Sequence, residues 1–518
     1  MGAFLPLFKS SLEEGRIKDK RTLLSEKRRI CESLNTAEIP KNGEILSMLE
    51  KKYISKFSDV LKSKPIRTLS GVTVVALMTK PFDCPHGVCL FCPGGTRVNT
   101  PQAYTGFEPA ARRAKGNNYD PYAQVQARLK HYLFMGYEPQ KVEIIAIGGT
   151  FTTLPKSYRD DFVTNVYRAL NDFPKNLRDE HVSLQEQKEI NETAETRCVA
   201  LAIETKPERC GIADVNQLLE YGVTRVEMGV QSVYDDVLKK NNRGHTIADV
   251  KASSRLLRDN AYKVDYHVML NLPFSDIDKD RQTIKEVYED DGLKPDAIKI
   301  YPTLVIKGTG LYNLWEKGMH TIYPIDDIID LIVQAEVSAP RWLRIMRVER
   351  DIPSNLIEDG VKVTNLRQLV SERIREMGKQ ANDIRSREIG HVQLLNDTII
   401  KMKRENYRAS GGDEIFLSID DVANDAIIGF IRLRIPDGSP ESLVRELHVY
   451  GEQKTIASEN LGGFQHKGFG RQLLEEAERI TKSEYSLNKI KIISGVGVRE
   501  YYRKEGYRLE APYMVKEI

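Results

Sequence analysis

Along the chain, the pattern of hydrophobic and polar positions changes from one region to the next. Between residues 72 and 301, short β-branched runs at 72–79, 142–147, 198–205, 225–230, 262–270 and 296–301 are each followed by a longer segment. Several of those segments, such as 158–173, 246–260 and 278–289, repeat apolar positions at spacings of three and four, as one face of a helix does. Six strand–helix repeats predict a parallel sheet, because strands joined by crossover helices run in the same direction. Periodicity does not choose between an open doubly wound sheet and a partial barrel, but both place functional loops at the C-terminal strand ends. Residues 1–70 read as helices rich in Lys and Glu, punctuated by Pro65 and Gly71. Residues 341–395 combine Pro353 with mixed charge and a helical stretch, and read as a connector. Residues 396–518 change to short strands with turn signals, one amphipathic helix and a terminal strand region, an α+β unit of its own. The domains expected are therefore 1–70, 71–340, 341–395 and 396–518.

Composition narrows the class. In 518 residues, 41% are hydrophobic and 29% charged, which describes a globular chain and excludes global disorder. No apolar run has the length of a membrane span, and the start MGAFLPLFKSSLEEGR has too short an apolar stretch for a signal peptide, so a cytoplasmic protein without membrane contact is expected. Residues 1–80 hold 16 Lys and Arg against 9 Asp and Glu, an excess of +7 in a chain whose net charge is +3. Such a block, with Lys27, Arg28 and Arg29 in sequence, suits either a polyanion such as RNA or a solvated helix face. Six cysteines are too few for a disulfide framework in a chain of this length, and three fall within nine residues, which points to a metal.

That cluster is PFDCPHGVCLFCPGG, with Cys84, Cys89 and Cys92 on a loop after the first strand. Three soft ligands suit zinc or an iron–sulfur cluster. Zinc asks for a fourth ligand, which His86 would have to supply from a cramped position two residues from Cys84. A [4Fe–4S] cluster on three cysteines leaves one iron open. Three cysteines after the first strand of a strand–helix repeat resemble the radical S-adenosylmethionine (SAM) enzymes, whose open iron chelates SAM. Gly148, Gly149 and Thr150 end the second strand, where glycines let the backbone approach the amino end of SAM. Glu204 ends the third, placed for a ribose hydroxyl. Cys198 lies in an apolar run and reads as core; Cys210 and Cys31 have no partner in sequence.

In the last domain, the strand ELHVYG is followed by Gln465, His466, Lys467, Gly468, Phe469 and Gly470 at the start of an amphipathic helix. A glycine-bearing turn there aims free N–H groups at a phosphate, without the Walker or G-x-G-x-x-G pattern. Q-x-x-G-x-G after a strand resembles the acyl-CoA loop of GCN5-related N-acetyltransferases, and KIISGVG with YYRKEGY agrees with the end of that fold. Tyr501 and Tyr502 are candidates to line a thioester and protonate the leaving thiolate, or to pack in the core.

The strings CPHGVCLFCPGG, YTGFEP, MGVQSVYDDV, NRGHT, KIYPTLVIKGTGLY, RELHVYG, QHKGFG and ISGVGVREYYRKEGYRLEAPYMVK together resemble the Elongator catalytic-subunit family, from about residue 60 to 518. The short cysteine spacing looks more like an archaeal form. The resemblance implies an α/β chain: a partial (β/α)6 radical-SAM barrel, a basic helical N-terminal segment that contacts tRNA, and a C-terminal α+β acetyltransferase-like domain. It implies an acyltransferase-type tRNA-modifying enzyme that carboxymethylates C5 of the wobble uridine from acetyl-CoA and SAM. A 5′-deoxyadenosyl radical would take hydrogen from the acetyl methyl, and the carbon radical would add to C5 before thioester hydrolysis. Cys84, Cys89 and Cys92 would hold the [4Fe–4S] cluster. Gly148, Gly149, Thr150 and Glu204 would face SAM. Lys141, Glu446, Leu447, His448, Val449, Gln465, Lys467, Gly468, Phe469, Gly470 and Arg471 would surround acetyl-CoA, with Lys141, Tyr501 and Tyr502 as catalytic candidates. The partners implied are the tRNA anticodon loop, acetyl-CoA and a reductant, with a homodimer or other Elongator subunits left open. Ala381 stands where many relatives carry a cysteine, which argues against an auxiliary zinc site. A protein lysine acetyltransferase with a structural metal cluster, and a zinc-stabilised RNA-binding scaffold, are the rival readings.

Overall fold

The computed structural model describes residues 2–36, 38–50, 53, 57, 60–61, 71–174, 183–392, 397–450 and 468–518. Seven strands form one wholly parallel sheet: β1 (Val72–Met78), β2 (Lys141–Ile147), β3 (Arg197–Thr205), β4 (Arg225–Gln231), β5 (Lys263–Leu270), β6 (Ala297–Pro302) and β8 (Arg344–Arg347), side by side in that order. A short pair, β7 (Val305–Ile306) and β9 (Ile357–Asp359), lies beyond the end of β6. The sheet is the half-barrel of a radical-SAM fold, with crossover helices on its outer face. Six strands fall within a residue or two of the runs that the alternation picks out. The seventh lies in the stretch that reads as connector: Arg344–Arg347 has one fully buried side chain, Ile345, so four residues, half of them arginine, join the sheet through their pairing with β6.

Side chains of successive strand residues point to opposite faces. Val142 and Ile144, Leu201 and Ile203, Val226 and Met228, Val264 and Val268, and Ile298 and Ile300 therefore enter one core beneath the helices. The alternate positions turn Glu143, Glu204, Arg225, Glu227, Asp265, His267 and Lys299 into the concave interior. This charged lining is the main departure from an ordinary barrel, whose interior is packed with branched apolar side chains.

Helices Phe4–Glu13, Lys20–Ser33 and Asn42–Met48 pack around Phe8, Leu12, Ile30 and Ile45 as a small core. They dock on helix Pro121–Phe134, where Gly43 lies against the Phe134 ring. Lys27 is buried, its ammonium on Asn42 Oδ1 at 2.9 Å, and burial pulls its pKa below the usual lysine value. In the run Lys27, Arg28, Arg29 only the two arginines face solvent, and Arg29 is held by Glu26 at 2.7 Å.

The C-terminal domain is a seven-stranded sheet of β10 (Ile400–Arg408), β11 (Gly412–Asp421), β12 (Ala426–Pro436), β13 (Ser442–Val449), β14 (Lys489–Ile492), β15 (Arg508–Glu510) and β16 (Tyr513–Glu517), in the order β10-β11-β12-β13-β14-β16-β15. Strands β10 to β13 are antiparallel. Strand β14 then runs parallel to β13 but pairs only Ser442 to Val444 with Ile490 to Ile492. Beyond Val444 the two strands part, and helix Phe469–Ser483 begins beside the opening.

One face of this second sheet is bound to the half-barrel by buried charge. The Arg445 guanidinium forks onto Asp296, just before β6, at 2.6 and 2.7 Å, and reaches Glu414 at 2.8 Å. Glu414 also accepts from Arg434 at 2.8 Å and from Arg258, at the end of helix Ile247–Asp259, at 3.0 Å. Arg432 donates to Glu446 at 3.0 Å, and Lys263 of β5 pairs with the same carboxylate. Among the described residues no helix is long and apolar enough to cross a membrane.

Candidate active site

The three cysteines lie where the first strand delivers them, at the mouth of a cavity over the C-terminal ends of β1 to β6. Their sulfurs are met by donors rather than by apolar contacts alone. Ala103 N–H donates to Cys92 Sγ at 3.0 Å, Arg243 Nη1 to Cys89 Sγ at 3.3 Å, and Thr150 Oγ1 lies 3.8 Å from Cys84 Sγ. Burial raises the Cys84 pKa and pushes Cys92 up to about 11, so each thiol favours its neutral form until a metal takes the proton's place. Three soft thiolates delivered by one loop suit an iron–sulfur cluster, and His86 Nε2 lies 3.3 Å from Cys89 Sγ.

The loop is braced by Asn241 and by residues 242–244, the NRG of NRGHT. Asn242 Nδ2 donates to the carbonyls of His86 and Val88 at 3.3 and 2.9 Å, and Leu90 N–H to Asn241 O at 3.3 Å. Arg243 Nη2 is fixed on Gly229 O at 2.6 Å, which aims Nη1 at Cys89. Lys206 caps the Arg243 carbonyl and pairs with Glu208 at 2.7 Å.

Next to the thiols, β2 ends in Gly148 and Gly149 with φ of +144° and +102°. A Cβ at Gly148 would lie 2.2 Å from Thr79 Oγ1, so the backbone comes closer here than any side chain permits. Glu204 lies behind it, accepting from Tyr104 Oη at 2.9 and 3.1 Å and from Gly148 N–H at 3.4 Å. Deeper in the same cavity Glu227 pairs with Lys299 and accepts from His267 Nε2 at 3.1 Å. Burial opposes its charge, but Lys299 and then Arg225 hold the carboxyl well below the usual range. The interior is thus a set of compensated charges around a polar pocket.

A second constellation gathers at the splay in the C-terminal sheet. Arg432 faces Glu446 while Leu433 faces Val444, so Arg445 is an extra residue in β13 and bulges the strand where it leaves β14. A bulge exposes backbone N–H groups to an incoming carbonyl. Leu447 and Val449 lie on the helix side of β13; Glu446 faces the half-barrel, and His448 stacks on Phe430 there. Gly468, with φ of +77°, starts helix Phe469–Ser483. A Cβ on Gly470 would lie 2.9 Å from Tyr501 Oη and 3.7 Å from Val449. Tyr501 and Tyr502 meet edge to face at 5.2 Å, and Tyr502 also meets Tyr507. Burial raises both phenol pKa values, Tyr501 to about 12, so each stays a proton donor at neutral pH. Arg471 is exposed and paired with Glu475 at 2.8 Å. Lys141 begins β2 opposite Arg197, against which Gly497 packs closely, so it approaches the turn that leads into Tyr501 and Tyr502. Burial, and then Arg197, lower its pKa. Gln465 and Lys467 lie outside the described residues.

Sequence reasoning did not single out Tyr104, Lys206, Glu227, Arg243, His267 or Lys299. For Glu227, His267 and Lys299 the pattern is charge at every second position of strands that a parallel sheet covers on both faces; Tyr104, Lys206 and Arg243 lie in loops outside any such pattern.

These features define a radical-SAM protein with a fused acetyltransferase-like domain. Family models for the Radical SAM superfamily match residues 81–286, for the Radical_SAM C-terminal domain 295–376, and for the ELP3 N-terminal domain 9–69. A protein named tRNA uridine(34) acetyltransferase from Methanocaldococcus jannaschii is 45% identical over 493 residues, 92% of this chain and 90% of the relative. Elongator complex protein 3 of Homo sapiens is 41% identical over 497 residues, 92% of this chain and 90% of the relative. The solved structure of an N-terminally truncated Elp3 from Methanocaldococcus infernus superposes with a TM-score of 0.76 at 41% identity, covering 87% of this chain and all of that one. The chain belongs to the Elongator complex protein 3 family.

Proposed function

We propose that the chain modifies C5 of the wobble uridine of tRNA, with acetyl-CoA as the carboxymethyl source. Supporting it is the union in one chain of a cysteine-lined cavity with a bulged, splayed strand pair of the kind that holds an acyl-CoA. Cys84, Cys89 and Cys92 would hold an iron–sulfur cluster, with Gly148, Gly149, Thr150 and Glu204 around SAM. Bound there, the cluster and SAM supply the radical chemistry that an unactivated methyl carbon requires. At the other site, the backbone at the bulge orients the thioester carbonyl, the turn at Gly468 and Gly470 receives the pyrophosphate, and Tyr501 or Tyr502 holds a proton for the departing thiolate. Lys141 brings a partly desolvated cation from the half-barrel to that end. A wobble base is already unpaired, so its entry costs less than flipping a paired base. The protein would work in the cytoplasm and take electrons from a separate reductant.

The test is thiol release from acetyl-CoA, with and without tRNA and with a lysine peptide. Release stimulated by tRNA, and slowed by Tyr502→Phe more than tRNA binding is weakened, is the expected result. Stimulation by the peptide with none by tRNA would instead support a protein acetyltransferase. A companion measurement is the visible spectrum after anaerobic reconstitution: Cys89→Ser should lose the broad iron–sulfur band and SAM cleavage but keep tRNA affinity.

A further inference from the structure

The segment YTGFEP, residues 104–109, has one member that the site leaves unused. Tyr104 turns inward to Glu204, and the buried Glu108 carboxylate accepts from Thr105 N–H at 2.8 Å and Gly106 N–H at 3.0 Å. Between these two anchors Phe107 is held outward, 51% exposed. The Arg112 guanidinium lies 5.9 Å from its ring centre.

Phe107 and Arg112 line a second cavity together with Pro302, Pro353, Val363 and Lys362, whose exposed ammonium also donates to Glu358 O at 2.9 Å. This cavity shares Arg350, Asp351 and Ile352 with the one that holds the cysteines, so the two adjoin at the open side of the half-barrel between β1 and β8. Its acids are compensated: Asp351 is paired with Arg347 at 2.5 Å, and the Glu349 carboxyl, whose pKa burial raises, accepts from the Leu366 backbone. Arg350 is turned onto the Ala103 carbonyl. What remains for a ligand is a flat aromatic face, proline walls and the cations Arg112 and Lys362. That combination fits a stacked base with its phosphate, since aromatic faces accept any base and guanidinium groups accept the backbone charge.

We propose that this cavity receives the nucleotide adjacent to the target uridine, its base stacked on Phe107 and its phosphate at Arg112. The inference rests on the tRNA reading above and adds the subsite that positions the anticodon loop. The test uses the full chain and anticodon stem-loop RNAs carrying 2-aminopurine immediately before or after the target uridine. For one of the two labels, binding should change the fluorescence with wild type and with Phe107→Tyr, and leave it unchanged with Phe107→Ala. Phe107→Ala should also weaken binding about tenfold, the typical loss of one base–aromatic stack. Arg112→Gln should reduce the slope of log affinity against log salt by about one. RNA that binds with a signal indifferent to Phe107 overturns the subsite and leaves the tRNA reading standing. Failure of both RNAs to bind wild type removes the two together, and protection of Phe107 by an apolar peptide alone would assign the cavity to protein.

Discussion

Arg243 shows how one side chain serves both architecture and chemistry. With one nitrogen on the Gly229 carbonyl and another on Cys89 sulfur, it transmits the position of β4 to the cysteine loop. Hydrogen bonds and positive charge near cluster sulfurs raise the reduction potential, because the reduced state carries more negative charge. Arg243→Gln should therefore shift the midpoint of the reconstituted cluster negative by about 60 mV, the one-electron equivalent of a charge-assisted hydrogen bond of about 1.4 kcal/mol. A redox titration followed by electron paramagnetic resonance measures it; an unchanged midpoint would mean that the contact is only structural. Gly470 is a second residue-scale constraint. Its missing Cβ leaves 2.9 Å to Tyr501 Oη, so Gly470→Ala must displace that phenol. Weaker acetyl-CoA binding in calorimetry, with tRNA affinity unchanged, is expected.

Among the elements, legibility followed burial. Strands β1 to β6 were visible because their outward faces are β-branched runs under helices, while β8 was not, its four residues carrying too little apolar sequence to signal a strand. The candidate thiols were legible because chemistry forces cysteines into one loop. Glu227, His267 and Lys299 were not, because charge alternating with apolar residues mimics a strand with one wet face, and only the assembled half-barrel shows both faces covered. Strand β13 holds the clearest case. The family resemblance puts Glu446 along an acyl-CoA, and its side chain spans to Lys263 and Arg432, which leaves only its backbone for that role. Burial would raise the Glu446 pKa, yet Lys263 and Arg432 hold it near 2 against an ordinary 4.5. A carboxyl depressed on folding stabilises fully above its unfolded value and loses that contribution as pH falls toward the folded one. Glu446→Gln should therefore flatten the decline in melting temperature between about pH 4.5 and 2, by the equivalent of about 3 kcal/mol at most. Parallel melting curves for the two proteins across that range would show that the pair adds nothing.

Over the whole molecule, Lys141 and Gly148 lie at opposite ends of β2, about 20 Å apart at the rise of a strand. The proposed acetyl-CoA site at the Lys141 end and the cysteine loop at the Gly148 end are therefore fixed relative to each other only as well as the two sheets are. That relation rests on buried charge: Asp296 receives Arg445 and faces Arg432, and Glu414 gathers Arg258, Arg434 and Arg445. Burial works against the Asp296 charge, but Arg445 and its neighbours hold the carboxyl far below the usual range, so it stays ionised. Such a lattice need not be more stable than an apolar interface of equal volume, but removing one member strands the rest. Asp296→Asn leaves Arg445 and Arg432 buried with less compensation and should cost about 3–5 kcal/mol. The effect should be modular, with calorimetry resolving two unfolding transitions for the variant where a single joint transition is expected for the wild type. The double variant Asp296→Leu with Arg445→Met, which removes both charges, should recover much of the loss in melting temperature. If it recovers none, specific charge pairing and not mere compensation holds the two sheets in register, and coupling between the ends of β2 should fail in both variants alike.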